Sequence, residues 1–158
     1  SSLLFNISIF LAGVIFIIFY INIHYIFVQY NYMGLASIGS VLGVMTGVAL
    51  AGVGLTPADV YLPTHIIAAK WLFRCFFGAS LCYSIIIYRS DFIENKYALY
   101  YLVFAFSILA FIFVSELGPS PKESELALSI QVISQKIILL ILVFTVYLQT
   151  LGIKRLRI

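Results

Sequence analysis

The sequence has very little charge: six acids and nine bases among 158 residues, against 63% hydrophobic residues and a mean hydropathy of +1.13. A soluble domain of this length carries roughly a quarter charged residues and needs them to cover its exterior. That composition excludes a water-facing fold, and it makes the bilayer the solvent. The net charge of +3 falls mostly beside apolar runs and not on a soluble patch, so nucleic acid is not an expected partner. Catalytic punctuation is also missing. The chain has no nucleophile elbow, no HExxH, no Walker loop and no paired metal-ligand spacing. No reaction class follows from motifs, whether the chain is an enzyme stays open, and no cofactor is implied.

The two cysteines, Cys75 and Cys82, are seven residues apart in one apolar run. On a helix they share a face but stand about 10 Å apart along the axis, too far for a disulfide. They read as small apolar fillers. The two histidines, His24 and His65, invite a haem reading, since imidazoles from two helices are a common axial pair. Their expected depths oppose it, one near the inner end of the first helix and the other near the outer end of the third.

What the chain does have is long apolar runs. Leu3 to Phe27 carries only Asn6, Ser8, Asn22 and His24 as polar side chains and exceeds the roughly 20 residues needed to span. After the aromatic, polar turn Gln29-Tyr30-Asn31-Tyr32, a second helix is expected over Met33 to Leu55. There Gly39, Gly43, Gly47 and Ala51 recur every four positions and form a smooth ridge for a closely packed backbone. The ridge reads either as internal packing or as a homodimer seam. Pro57 and Pro63 break the chain before a third helix that runs from Pro63 to about Tyr88. The most charged loop, residues 89–96, precedes a fourth helix from Tyr97 to Ser115. Ser120, Pro121 and Glu123 suggest a capped start to a fifth helix near Pro121, with its apolar part from Leu126 to Leu151 and a basic exit at Lys154, Arg155 and Arg157. The expected fold is all-α, a polytopic transmembrane helix bundle of five spans forming one domain over residues 1–158.

Counting Lys and Arg near helix ends favours a cytoplasmic C-terminus, which leaves only Lys122 outside and residue 1 outside. Ser1-Ser2-Leu3-Leu4 lacks an initiator Met and a basic flank, so a preceding helix is expected, six in the full protein. Tyr20, Tyr25, Tyr30, Tyr32, Tyr61, Tyr88, Tyr97 and Tyr100 near the expected ends are explained by interfacial anchoring.

The chemically informative residues are cations inside the spans: Lys70 and Arg74 in the third helix and Lys136 in the fifth. Each costs on the order of 2.5 to 3.5 kcal/mol at a helix centre on insertion scales. Lys70 and Arg74 are four apart and share a face. Arg74 is expected about 16 Å below Pro63 and Lys136 about 15 Å below Leu126, so all three can occupy one outer half. Two readings stay open. In one, Glu116 or backbone carbonyls neutralise Lys70 and Arg74 while Lys136 snorkels. In the other, the cations line a water-accessible pocket that holds the head group of an anionic lipid or amphiphile. His65 is either an interfacial hydrogen-bonding group or a site group working with Asp59 at the pocket mouth. The candidate ligand set is therefore Lys70, Arg74, Lys136, His65, Asp59 and Glu116, with membrane lipids as partners. The competing expectations are an accessory subunit with a partner membrane protein, and a small transporter or head-group enzyme.

Leu4-Phe5-Asn6, Gly13, the Gly-rich second helix, Gly52-Val53-Gly54-Leu55-Thr56-Pro57-Ala58-Asp59 and the following His65 form an ordered set. This resembles the membrane family catalogued as domain of unknown function 998, and Gln135-Lys136-Ile137 is similar to its Gln-Arg-hydrophobe segment, with Lys in place of Arg. The resemblance covers nearly the whole chain. It implies a six-helix bundle, here without its first helix, and favours a lipid-related role through a distant likeness to eukaryotic proteins of lipid-anchor remodelling and autophagy. It implies no reaction and no catalytic residue.

Overall fold

A computed structural model describes residues 2–118 and 124–154. It contains five α-helices in the order α1 Ser2–Gln29, α2 Met33–Leu55, α3 Leu62–Arg89, α4 Asn95–Leu117 and α5 Glu125–Lys154, with no strand among the described residues. All five are long and apolar enough to cross a membrane. The protein is thus an all-α, multi-pass membrane protein. Its contacts divide it into two compact units, Ser1–Cys82 and Tyr83–Ile158, with the division falling within α3.

In the first unit, α1 ends because Asn31 takes φ 64°, a left-handed conformation that Asn tolerates better than most residues. The Tyr32 N–H then reaches back to Phe27 O at 3.1 Å and the Asn31 N–H to Val28 O at 3.1 Å. This pair of bonds is the Schellman arrangement, which satisfies carbonyls that the helix end would otherwise leave unbonded. α2 starts immediately, with Ala36 N–H bonded to Tyr32 O at 2.9 Å.

The small-residue ridge of α2 packs against α1. A methyl at Gly13 would lie 2.5 Å from Ala51 N and 2.6 Å from Gly47 O, and one at Gly54 would lie 2.7 Å from both Asn6 O and Phe10 N. Gly43 lies under the Tyr20 ring. The ridge therefore serves internal packing, with helix one covering it. Tyr20, Ile23, Phe27, Leu50, Cys75, Phe76 and Ala79 are buried in this unit, and Phe76 meets the Phe16 ring edge-on at 5.6 Å. Cys75 and Cys82 are free thiols, as their spacing requires.

The α2–α3 connection is held by Thr56, whose N–H and hydroxyl both donate to Gly52 O, at 3.0 and 2.7 Å. Pro63 lies in the first turn of α3, where a missing N–H costs nothing.

In the second unit, Ser84 Oγ donates to Ala98 O at 3.0 Å, joining the end of α3 to the start of α4. The Tyr83 and Tyr101 rings pack at 6.0 Å, and Phe104, Ile108 and Phe111 continue the buried face of α4. Gly152 of α5 faces the Tyr97 ring.

Helix five is described from Glu125 onward. Its cap is Ser124, whose Oγ accepts the Ala127 N–H at 3.4 Å, with Glu125 in the first turn where the helix dipole favours an acid. The suggested cap at Ser120, Pro121 and Glu123 lies outside the described residues, as do Lys122, Arg155 and Arg157.

Candidate functional site

α3 carries two cations within an otherwise apolar run, and they fall on the face that packing leaves uncovered. Leu72, Phe73, Cys75 and Phe76 are buried, whereas Ile66, Ile67, Lys70, Trp71 and Arg74 are exposed. These five exposed positions follow helical spacing and make one stripe. Lys70 and Arg74 thus stand on the outward face of α3 together with Ile66, Ile67 and Trp71, which is 52% exposed. An outward cation in a span keeps its long aliphatic stem in the apolar layer and carries its charged end toward the interface.

His65 is in the first turns of α3, and its Nδ1 lies 2.7 Å from Thr56 O. A carbonyl can only accept, so Nδ1 carries the proton and Nε2 is the ring's remaining polar atom. The ring clasps the C-terminal end of α2 to the start of α3. Asp59 is exposed in the intervening turn, and the described hydrogen bond of the ring goes to Thr56. Lys136 and Glu116 belong to the second unit, where Lys136 is exposed on α5 and Glu116 is exposed in the last turn of α4. His24 and His65 lie at opposite ends of α2, which is 23 residues or about 33 Å long.

A second feature was not legible as a site in the sequence. A groove of about 580 Å³ opens between the end of α1 and the start of α2, with His24, Ser37 and Ser40 among its walls and Ile21, Val41 and Val44 beside them. The His24 Nδ1 atom is buried and makes no hydrogen bond. Ser37 Oγ donates to Met33 O at 2.7 Å and keeps lone pairs to accept with. The only sequence signal was a lone imidazole in a run otherwise free of ionisable groups other than tyrosine. In the second unit a groove of about 570 Å³ runs between Arg89 and Asn95 at one end and Ile85, Leu99 and Leu102 along its length. Among the described residues, no group of three or more His, Cys, Asp or Glu could hold a metal ion.

Comparison with protein-family models, curated proteins and solved structures finds no match.

Proposed function

We propose that this multi-pass membrane protein binds or handles an anionic lipid or amphiphile through the cations of its spans, chiefly Lys70 and Arg74. The observation that carries the reading is their pairing, four residues apart, on the exposed stripe of α3 beside Trp71. A phosphate or carboxylate at the membrane interface would meet two donors at once, and the neighbouring isoleucines and indole would meet its acyl chains. With the C-terminus cytoplasmic, as the basic residues favour, this stripe belongs to the outer half of the membrane, with His65 and Asp59 at its edge. Lys136 on α5 and Glu116 at the end of α4 belong to the second unit and are not part of this stripe. The resemblance to the domain of unknown function 998 family favours the same lipid-related role.

A second reading, an accessory subunit of a larger membrane complex, is supported by α1. Only 11% of its most apolar stretch is buried. In that case the α3 cations would pair with carboxylates of a partner helix.

Native mass spectrometry of the gently solubilised protein, wild type against Lys70→Ala/Arg74→Ala, separates the readings. If the two cations hold the head group, the double variant should lose most of the wild type's preference for phosphatidylglycerol over phosphatidylcholine. Equal retention of phosphatidylglycerol and phosphatidylcholine by the wild type would sink the lipid reading, and a co-purifying protein lost in the variant would establish the second.

A further inference from the structure

We infer that the groove between α1 and α2 is a binding site for an uncharged, single-tailed acyl amphiphile, a monoacylglycerol-type lipid. The site is separate from the α3 cations and does not depend on them.

The first argument is the direction of its polarity. His24 is five residues from the end of α1, about 8 Å, and Ser37 is four residues from the start of α2, about 6 Å. Val41, Val44 and Met45 lie deeper, about 12 to 18 Å from the start of α2. The groove is therefore polar near the membrane surface and apolar toward the middle, the same order as head and tail in an amphiphile. Its volume of about 580 Å³ is in the range of small-molecule sites, roughly 300 to 1,000 Å³.

The second argument is the hydrogen-bonding inventory. His24 Nδ1 is sealed and makes no hydrogen bond. A buried, unbonded N–H is costlier and rarer than a buried lone pair, so the proton belongs on Nε2. The groove wall then offers a donor, His24 Nε2–H, and an acceptor, the lone pairs of Ser37 Oγ, with the hydroxyl-bearing Tyr25 and Ser40 also among its lining residues. An ester carbonyl takes the first and a glycerol hydroxyl gives to the second.

The third argument concerns charge. None of the residues lining the groove is Asp, Glu, Lys or Arg. An anionic head group there would find no Lys or Arg and only the His24 imidazole and hydroxyls as donors, a weaker anion site than the paired cations of α3, whereas an uncharged ester and hydroxyl need no counter-charge.

The test uses the full chain in phosphatidylcholine nanodiscs, titrated with 1-monooleoylglycerol and, separately, with oleate, and read by native mass spectrometry. Wild type should retain monooleoylglycerol at least about tenfold better than oleate, since burying an unpaired charge costs more than a neutral head group. Val44→Phe, which fills the deep end, should abolish retention. His24→Phe, which keeps an aromatic ring and removes the donor, should weaken retention about tenfold. Thermal melts matching wild type confirm that both variants are folded, and Val41→Phe replaces any that is not. Equal retention of oleate and monooleoylglycerol, retention indifferent to Val44→Phe, or a dimer lost in Val44→Phe in place of a lipid adduct would each overturn the inference. The α3 reading is scored on phosphatidylglycerol and this one on monooleoylglycerol, so either can fail alone.

Discussion

Helices α1 and α2 meet largely through backbone, with the Tyr20 ring over Gly43 as the exception, whereas at Gly152 α5 meets α4 through a side chain. At Gly13, Gly47 and Gly54 the atoms nearest a hypothetical methyl are mostly main-chain nitrogen, oxygen and Cα, which have no rotamer to change. At Gly152 the nearest atoms are those of the Tyr97 ring, at 3.1 Å. Lipid tails are as apolar as leucine, so helices in a membrane gain little from hiding apolar surface and much from close contact. The two pairs reach that contact by opposite routes. The first removes side chains and is intolerant of added volume. The second fills the gap with a ring that can shift by a few tenths of an ångström.

The substitution that would break this contrast most sharply is Gly13→Ala. Its methyl would press on Ala51 N and Gly47 O with nothing flexible between, and overpacking of this kind costs about 3 kcal/mol. Gly152→Ala, against a movable ring, should cost less than about 1 kcal/mol. Unfolding by SDS titration, followed by circular dichroism, measures both. Equal costs would mean that the second pair is as rigid as the first.

A smaller effect is expected at Ser84, whose hydroxyl holds Ala98 O in the side-chain-mediated unit. Ser84→Ala should destabilise by about 0.6 to 1 kcal/mol, the usual size of a hydrogen bond between membrane helices. No change in the same titration would leave ring packing as the sole contact of consequence there. The smallest effect is at Gly34, in the first turn of α2, where a methyl would meet nothing within 4 Å. Gly34→Ala should stabilise by about 0.5 kcal/mol through helix propensity alone. A loss of stability would show that the glycine-rich stretch resists added volume even away from the α1 seam.

The sequence was most readable where it is punctuated. α2 was expected at Met33 to Leu55 and is found there, because Asn31 and Pro57 bracket it. At the start of α5, Ser120 and Ser124 are both followed closely by an acid, and the sequence alone does not separate them; the described bond from Ala127 goes to Ser124, and Ser120 lies outside the described residues. The ridge on α2 was visible as a repeat of four, but its counterpart was not, since Gly13 stands alone in α1 and Gly54 falls outside the repeat.

Site residues followed the same rule. The four-residue spacing of Lys70 and Arg74 placed them on one face, and that this face is left uncovered depended on the packing of Phe76 and its neighbours. His65 is bonded to a carbonyl nine residues earlier, a contact created by the proline-bearing turn and not by any periodicity. The groove beside His24 requires two helices at once and has no signature in either alone.

The left-handed Asn31 has one more consequence. Tyr20 and Gly43, Gly13 and Ala51, and Phe10 and Gly54 each stand nearly the same number of residues before and after it, so the turn is the fold point of a zipper whose teeth are already in register. One residue inserted at this turn and taken up as helix by α2 would shift its glycines by about 1.5 Å and about 100° relative to α1, turning them away from it together. Chain length at this turn is therefore constrained more tightly than residue identity, and an insertion there should be harder to tolerate than most single substitutions along either helix.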